Sequence, residues 1–165
     1  MSNKNCFLGI DVGTGSARAA LFDSSGKLLA SATKDIKTWR SPTDHRIFEQ
    51  STTDIWSAVC HCSREIMQQE ALSQEMVGGI GFDATCSLAV ITSDGEPVCV
   101  TDGPNCGDLG ERNIVLWADH RAEGEADLIN SNKSSVLDYV GGSMSVCKLS
   151  FLHLLFLQTN LHCGL

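Results

Sequence analysis

An α/β fold is predicted for this chain, and three observations carry the prediction. Three short apolar runs, Phe7–Val12, Ala17–Phe22 and Leu28–Ala32, follow one another with glycine-containing turns between them, the pattern of antiparallel strands. A longer segment after Ser51 repeats apolar residues at helical spacing. Strand-like and helix-like stretches then continue to Val140.

Each element has a local reason. Gly13-Thr14-Gly15-Ser16 and Asp23-Ser24-Ser25-Gly26 are turn sequences, so the first three strands form a β-meander. Ser51-Thr52-Thr53-Asp54 opens a helix with small hydroxyls ahead of an acid. Ile55, Trp56, Val59, Cys60, Ile66 and Met67 give it one apolar face, with Trp56 in the core, and it ends near Gln69 or Gln74. Val77–Phe82 is a glycine-punctuated strand and Leu88–Thr92 another, and Asp94-Gly95 turns the chain into a strand at Val98–Val100. Residues 102–113 are polar and glycine-rich, a loop, and Ile114–Trp117 is a short buried strand. Helices are expected over Arg121–Asn130 and Ser134–Val140, the second stopped by Gly141-Gly142.

Composition narrows the function. The chain has 165 residues, 42% hydrophobic and 19% charged, which suits one globular domain or a piece of a larger protein. A net charge of −8 argues against general nucleic-acid binding while leaving room for a local phosphate pocket. Eight cysteines include no Cys-x-x-Cys pair, and Cys60-His61-Cys62 is poor zinc spacing, so two ordinary helix cysteines are expected there. The N-terminus has no basic stretch followed by an apolar one, so a cytoplasmic chain with reduced thiols is expected. The apolar block Leu149–Leu157 is shorter than the roughly 20 residues that span a bilayer, so no membrane partner is expected.

Four segments carry candidate chemistry. Asp11 to Arg18, between two strands, combines a glycine turn, the hydroxyls of Thr14 and Ser16, a carboxylate and a guanidinium, the groups that gather around phosphates. An ordinary hairpin turn is the competing reading. Asp83-Ala84-Thr85 follows a strand, where sheet ligands sit; a turn or a helix cap explains it as well. Trp117, Asp119, His120 and Arg121 stand at a strand-to-helix junction, where a helix cap beside a core Trp is the alternative. Glu49 and Gln50 precede the long helix, and a capping role for Glu49 stands slightly ahead of contact with a ligand hydroxyl.

Taken together these segments resemble a known family. Asp11-x-Gly13-Thr14-x-Ser16-x-Arg18 is similar to the first phosphate motif of the FGGY carbohydrate kinases. Phe48-Glu49-Gln50 with Asp54-Ile55-Trp56, then Ile80 to Thr85, then Leu116-Trp117-Ala118-Asp119-His120-Arg121-Ala122, resemble three later motifs of that family in the same order. The last looks most like its ribulokinase-type branch, and Gly141-Gly142-Ser143 resembles a substrate-loop entrance.

The resemblance implies an actin-like, ribonuclease H-like ATPase fold with a mixed sheet and flanking helices, here incomplete. Residues 1–146 would be part of the N-terminal domain and 147–165 a divergent apolar tail, as an alternative or spliced terminus would give. ATP and Mg²⁺ are the implied cofactors and a pentulose or polyol, D-ribulose above all, the implied substrate. Asp11, Gly13, Thr14, Ser16 and Arg18 would surround the phosphates, with Asp11 toward Mg²⁺. Asp83, Thr85, Asp119 and His120 would meet the sugar, with Arg121 positioning them. The family's general base is an Asp in a Gly-Asp segment that does not occur after Val146, so no catalytic residue is assigned here and negligible kinase activity is expected of the chain alone. The alternatives are a non-catalytic binding module and an unstable truncation product.

Overall fold

The computed structural model describes residues 5–69, 72, 74–132 and 135–146. Their elements run β1 (Cys6–Val12), β2 (Ser16–Asp23), β3 (Leu28–Asp35), β4 (Trp39–Arg40), β5 (Phe48–Gln50), α1 (Thr52–Met67), β6 (Val77–Ala84), β7 (Leu88–Ala89), β8 (Ile114–Val115), α2 (Glu123–Ser131) and α3 (Val136–Tyr139). Two compact units result, one drawn from Met1–Lys37 and Thr53–Thr85, the other from Thr38–Thr52 and Cys86–Leu165.

The first unit holds a mixed sheet in the order β3-β2-β1-β6. β1 and β2 pair antiparallel, as do β2 and β3, while β6 runs parallel to β1. The expected meander is therefore present, with its second turn closed by the Asp23 carboxylate, which accepts from the Ser25 and Lys27 backbone N–H groups at 2.8 and 3.0 Å. Alternation along the strands buries one face. Cys6, Leu8 and Ile10 of β1, Ala17, Ala19 and Leu21 of β2, and Ala30 and Ala32 of β3 pack with Ala58, Val59, Cys62 and Ile66 of α1. The alanines let the helix lie close. Burying Ile66 or Leu21 stabilises the unit by about 1.5–3 kcal/mol each.

Helix α1 has Asp54 in its first turn and Arg64 in its last, each opposing the end charge of the helix. Trp56 corrects the sequence reading, because it is 61% exposed. At about 100° per residue it falls about 60° outside the arc of Ala58, Val59, Cys62 and Ile66. The Cys62 thiol donates to the Ala17 carbonyl at 3.5 Å, and burial pushes its pKa up.

The second unit holds an antiparallel sheet of very short strands in the order β4-β5-β8-β7. β4 and β5 were not expected, being two and three residues long and largely polar. The strand expected at Leu88–Thr92 shortens to Leu88–Ala89, followed by a single Ile91–Pro97 pairing. Val98 makes one isolated pairing with Leu109 rather than starting a strand. Pro97, lacking an N–H, helps to prevent a longer ladder there. The Asp94-Gly95 turn forms, with Gly95 at φ 89°.

Helix α2 starts at Glu123, two residues later than expected, and just before it the Asp119 carboxylate accepts from the Arg121 N–H at 2.9 Å. Helix α3 is confined to Val136–Tyr139. Gly141 and Gly142 take φ 84° and 87°, and the Gly142 N–H donates to the Leu137 carbonyl at 2.8 Å, so this pair ends the helix as expected. Asn130 closes the following loop by accepting from Met144 N–H and donating to its carbonyl, at 2.7 and 2.9 Å. No helix among the described residues is long and apolar enough to cross a membrane. The expected apolar tail, with Leu149–Leu157, lies outside the described residues.

Candidate functional site

Two separate groups of candidate residues emerge, one in each unit. In the first unit the antiparallel register sets Asp11 opposite Arg18, and the parallel register sets Asp11 beside Asp83. Residues paired in this way share a face of the sheet, so the three charged side chains stand together. Arg18 donates from Nη1 to Asp11 Oδ2 at 2.7 Å, with the two side chains 55% and 51% exposed. Both carboxylates lie at the C-terminal ends of parallel strands, the usual ligand edge of such a sheet. Thr85 follows, exposed, its N–H donating to the Val12 carbonyl at 3.2 Å.

Glycine opens the space around this trio. A cavity of about 470 Å³ runs along the face from Asp11, Arg18 and Asp83 past Gly9 and Gly81 to Phe82. A side chain at Gly81 would project into it, since nothing lies within 4 Å of a Cβ built there. The Gly13–Gly15 turn is closed by Gly13 N–H donating to the Ser16 carbonyl at 3.0 Å. Thr14 is exposed at its tip, whereas Ser16 begins β2 and is buried, so only the first of the two hydroxyls stands at the surface. A larger cavity, about 670 Å³ and lined by Leu8, Met67, Val77 and Ile80, holds none of the candidate residues.

These groups fit a phosphate with a hard divalent cation. Two exposed carboxylates in register offer oxygen ligands, and a guanidinium beside them offers paired donors to phosphate oxygens. No cluster of three or more His, Cys, Asp or Glu side chains suited to a metal occurs among the described residues, so a cation here would draw its other ligands from water and the phosphates.

The second unit builds a different arrangement, a buried ionic cluster. Glu49, on β5, is 1% exposed; Asp119 is 0% and Arg121 5% exposed. Arg121 donates from Nη2 to Glu49 Oε1 at 2.8 Å, from Nη2 and Nε to Asp119, and from Nη1 to the Val100 carbonyl at 2.8 Å. Asp119 Oδ2 also accepts from the Phe48 N–H at 2.8 Å. Thr101 donates to Glu49 Oε2 at 2.7 Å, and Arg112 approaches the same oxygen at 3.4 Å. Burial works against the Arg121 charge, but the hydrogen bonds and charges of Asp119 and Glu49 outweigh it and hold the guanidinium above its ordinary pKa.

Two expectations change here. Glu49 does not cap the helix; its carboxylate turns inward, because Arg121, Thr101 and Arg112 supply its donors. Asp119 does not stand open to a sugar, since its oxygens are held by Arg121 and Phe48 in a solvent-free position. Trp117 and His120 flank it with partly exposed side chains. The His120 N–H donates to the Arg46 carbonyl at 2.9 Å, and its Nδ1 lies 3.4 Å from Glu123 Oε1.

Sequence reasoning missed Thr101 and Arg112. Both fall in or beside a segment that reads as a polar loop, and their partner is more than fifty residues away in sequence. A buried carboxylate in need of donors was the missing clue, and it shows only once Glu49 is placed.

Comparison with known proteins follows from this geometry. Residues 6–140 match the sequence model of the FGGY family of carbohydrate kinases, N-terminal domain. The chain is 46% identical over 155 residues to a human FGGY carbohydrate kinase domain-containing protein, covering 94% of this chain and 26% of that protein. It is 43% identical over 160 residues to a D-ribulokinase of Saccharomyces cerevisiae, covering 96% and 22%. It thus spans about a quarter of the length of these curated relatives. Among solved structures, a xyloylose kinase from Brucella ovis is similar with TM-score 0.73 at 17% identity, over 94% of this chain and 29% of the other. Plasmodium falciparum glycerol kinase with ADP is similar with TM-score 0.70 at 18% identity, over 96% and 29%. At such identities the likeness concerns the fold, and the expected actin-like α/β architecture is borne out.

Proposed function

Because the chain belongs to the FGGY family of carbohydrate kinases, we propose that it supplies the phosphate-facing and part of the sugar-facing surface for ATP-dependent phosphorylation of a pentulose, D-ribulose in the first instance. The observation that carries the reading is the exposed Asp11–Arg18–Asp83 trio at the ligand edge of the first sheet.

Each residue has a role in this reading. Arg18 offers its guanidinium to the phosphate being transferred, in exchange for part of its contact with Asp11. Thr14 and the backbone of the Gly13–Gly15 turn approach the other phosphate oxygens. Asp11 would hold Mg²⁺, which when bound offsets phosphate charge, and the register that sets Asp83 beside it moves Asp83 from the sugar contact expected of it to the same cation. Trp117 and His120 offer ring and imidazole contacts to the sugar, while Asp119 and Arg121 keep the Trp117–His120 segment in place. None of these groups is proposed to take the sugar's hydroxyl proton, so the chain is expected to bind without measurable turnover.

The test is a thermal melt of the purified chain alone, with MgATP, and with D-ribulose, xylulose or glycerol, alongside an assay for ADP release. A ligand that binds only the folded state raises the midpoint. Shifts with MgATP and D-ribulose are expected. A cooperative melt that no sugar and no nucleotide moves would overturn the proposal, and robust ADP release would overturn the expectation of binding without turnover.

A further inference from the structure

We infer that Glu49 is a positioning residue for the Trp117–His120 segment, acting through Arg121. The inference rests on the reading above that this segment meets the sugar.

The segment is an arch with both feet on the β5 side of the unit. At one foot the Leu116 N–H donates to the Phe48 carbonyl at 3.0 Å. At the other, Asp119 Oδ2 accepts from the Phe48 N–H at 2.8 Å and the His120 N–H donates to the Arg46 carbonyl at 2.9 Å. Phe48 thus touches both feet, and the next residue along is Glu49. Its Oε1 accepts a hydrogen bond from Arg121 Nη2, and that same nitrogen reaches Asp119 Oδ2 at 2.8 Å. The contacts close a ring: Phe48 backbone, Glu49 side chain, Arg121, Asp119, and back to Phe48.

Glu49 is the member of this ring that fixes where the guanidinium lies. Asp119 and Arg121 are two residues apart and would stay paired in many orientations. Glu49, 72 residues from Arg121, sets which one is taken, and the Val100 carbonyl on Nη1 completes it. Thr101 in turn holds Glu49 by its second oxygen. A buried ionic group of this kind is weak evidence for stability as such, and specifying a single geometry is its better-supported use. Here the geometry specified is that of the arch from which Trp117 and His120 project.

The test uses the full chain carrying Trp39→Phe and Trp56→Phe, which leaves Trp117 as its one tryptophan. Glu49→Gln is then added, keeping shape and one hydrogen bond while removing the charge. Acrylamide quenching of Trp117, its emission maximum and the D-ribulose-induced shift in melting midpoint are compared with the parent. The expected result is a cooperative melt with altered Trp117 quenching and emission, and loss of the ribulose shift. Thr101→Val, which leaves the charge but releases Oε2, should change Trp117 in the same direction by less, and it serves where Glu49→Gln does not fold. A lowered midpoint with unchanged Trp117 signals in either folded variant would assign Glu49 a merely structural role and overturn the inference. Altered Trp117 signals in a chain whose parent shows no ribulose shift would uphold the positioning role and defeat the sugar reading instead.

Discussion

Arg121 and Glu49, separated by 72 residues in sequence, meet at 2.8 Å with almost no solvent on either side chain. Asp119 shares the same guanidinium, so one cation compensates two buried carboxylates, with Arg112 assisting at 3.4 Å from Glu49.

Removing the shared cation leaves two carboxylates uncompensated, whereas removing Glu49 leaves Arg121 still paired with Asp119. Arg121→Ala is therefore expected to cost about 3–5 kcal/mol, and Glu49→Ala less. Urea unfolding followed by near-ultraviolet circular dichroism measures both. Equal or smaller loss for Arg121→Ala would contradict the shared-cation arrangement.

Arg18 should separate binding from stability. Its pair with Asp11 is half exposed, where ion pairs contribute about 0–1 kcal/mol. Arg18→Ala is therefore expected to leave the melting midpoint of the unliganded chain nearly unchanged while abolishing the MgATP-induced rise. Calorimetric melts with and without MgATP distinguish this from general damage.

Acid should weaken two exposed loops in a defined window. Hydrogen bonds from Ser25 and Lys27 hold the Asp23 carboxyl below its ordinary value of 3.8. Bonds from Arg46 do the same for Asp44, more strongly. A carboxyl with a depressed folded pKa contributes stability above its unfolded pKa and loses that contribution as pH falls through the folded one. The contribution of these two carboxyls should thus be level above about pH 5 and decline progressively below pH 4. Asp23→Asn and Asp44→Asn should each flatten that decline in melts taken at successive pH values, and an unchanged slope in both would refute the assignment.

Thiol reactivity should follow burial. Cys86 is exposed, whereas Cys6 and Cys62 are buried and the Cys62 thiol is further held protonated by its surroundings. Mass spectrometry after brief alkylation should find Cys86 labelled and Cys6 and Cys62 protected until denaturant is added.

Much of the first unit was legible in the sequence, and much of the second was not. β1, β2, β3 and β6 announce themselves by short apolar runs and by turns such as Asp23-Ser24-Ser25-Gly26, signals contained within a few residues. The Asp11–Arg18 pairing follows from the hairpin register alone. β4 and β5 have only two and three residues, too few for any period to show, whereas β8 falls inside the short buried strand expected at Ile114–Trp117. Glu49, Asp119 and Arg121 read as cap or sugar-site residues because charged side chains are seldom buried, and the partner that permits burial is remote in sequence. Trp56 failed in the opposite direction, since an apolar residue near a helical stripe need not lie within it.

The parallel pairing of β1 with β6 also sets an order of assembly. The hairpins of β1, β2 and β3 close turns of a few residues, whereas Asp11 finds Asp83 only after the whole of α1 has been made and folded back. Closing such a long loop carries a larger entropy cost and falls on the slow, non-local side of folding. During synthesis the meander can form as its residues emerge, while the two carboxylates come together only when β6 follows. The charged edge of the sheet is therefore among the last parts of its unit to take shape, and the first unit stays incomplete in any nascent chain that has not reached Ala84.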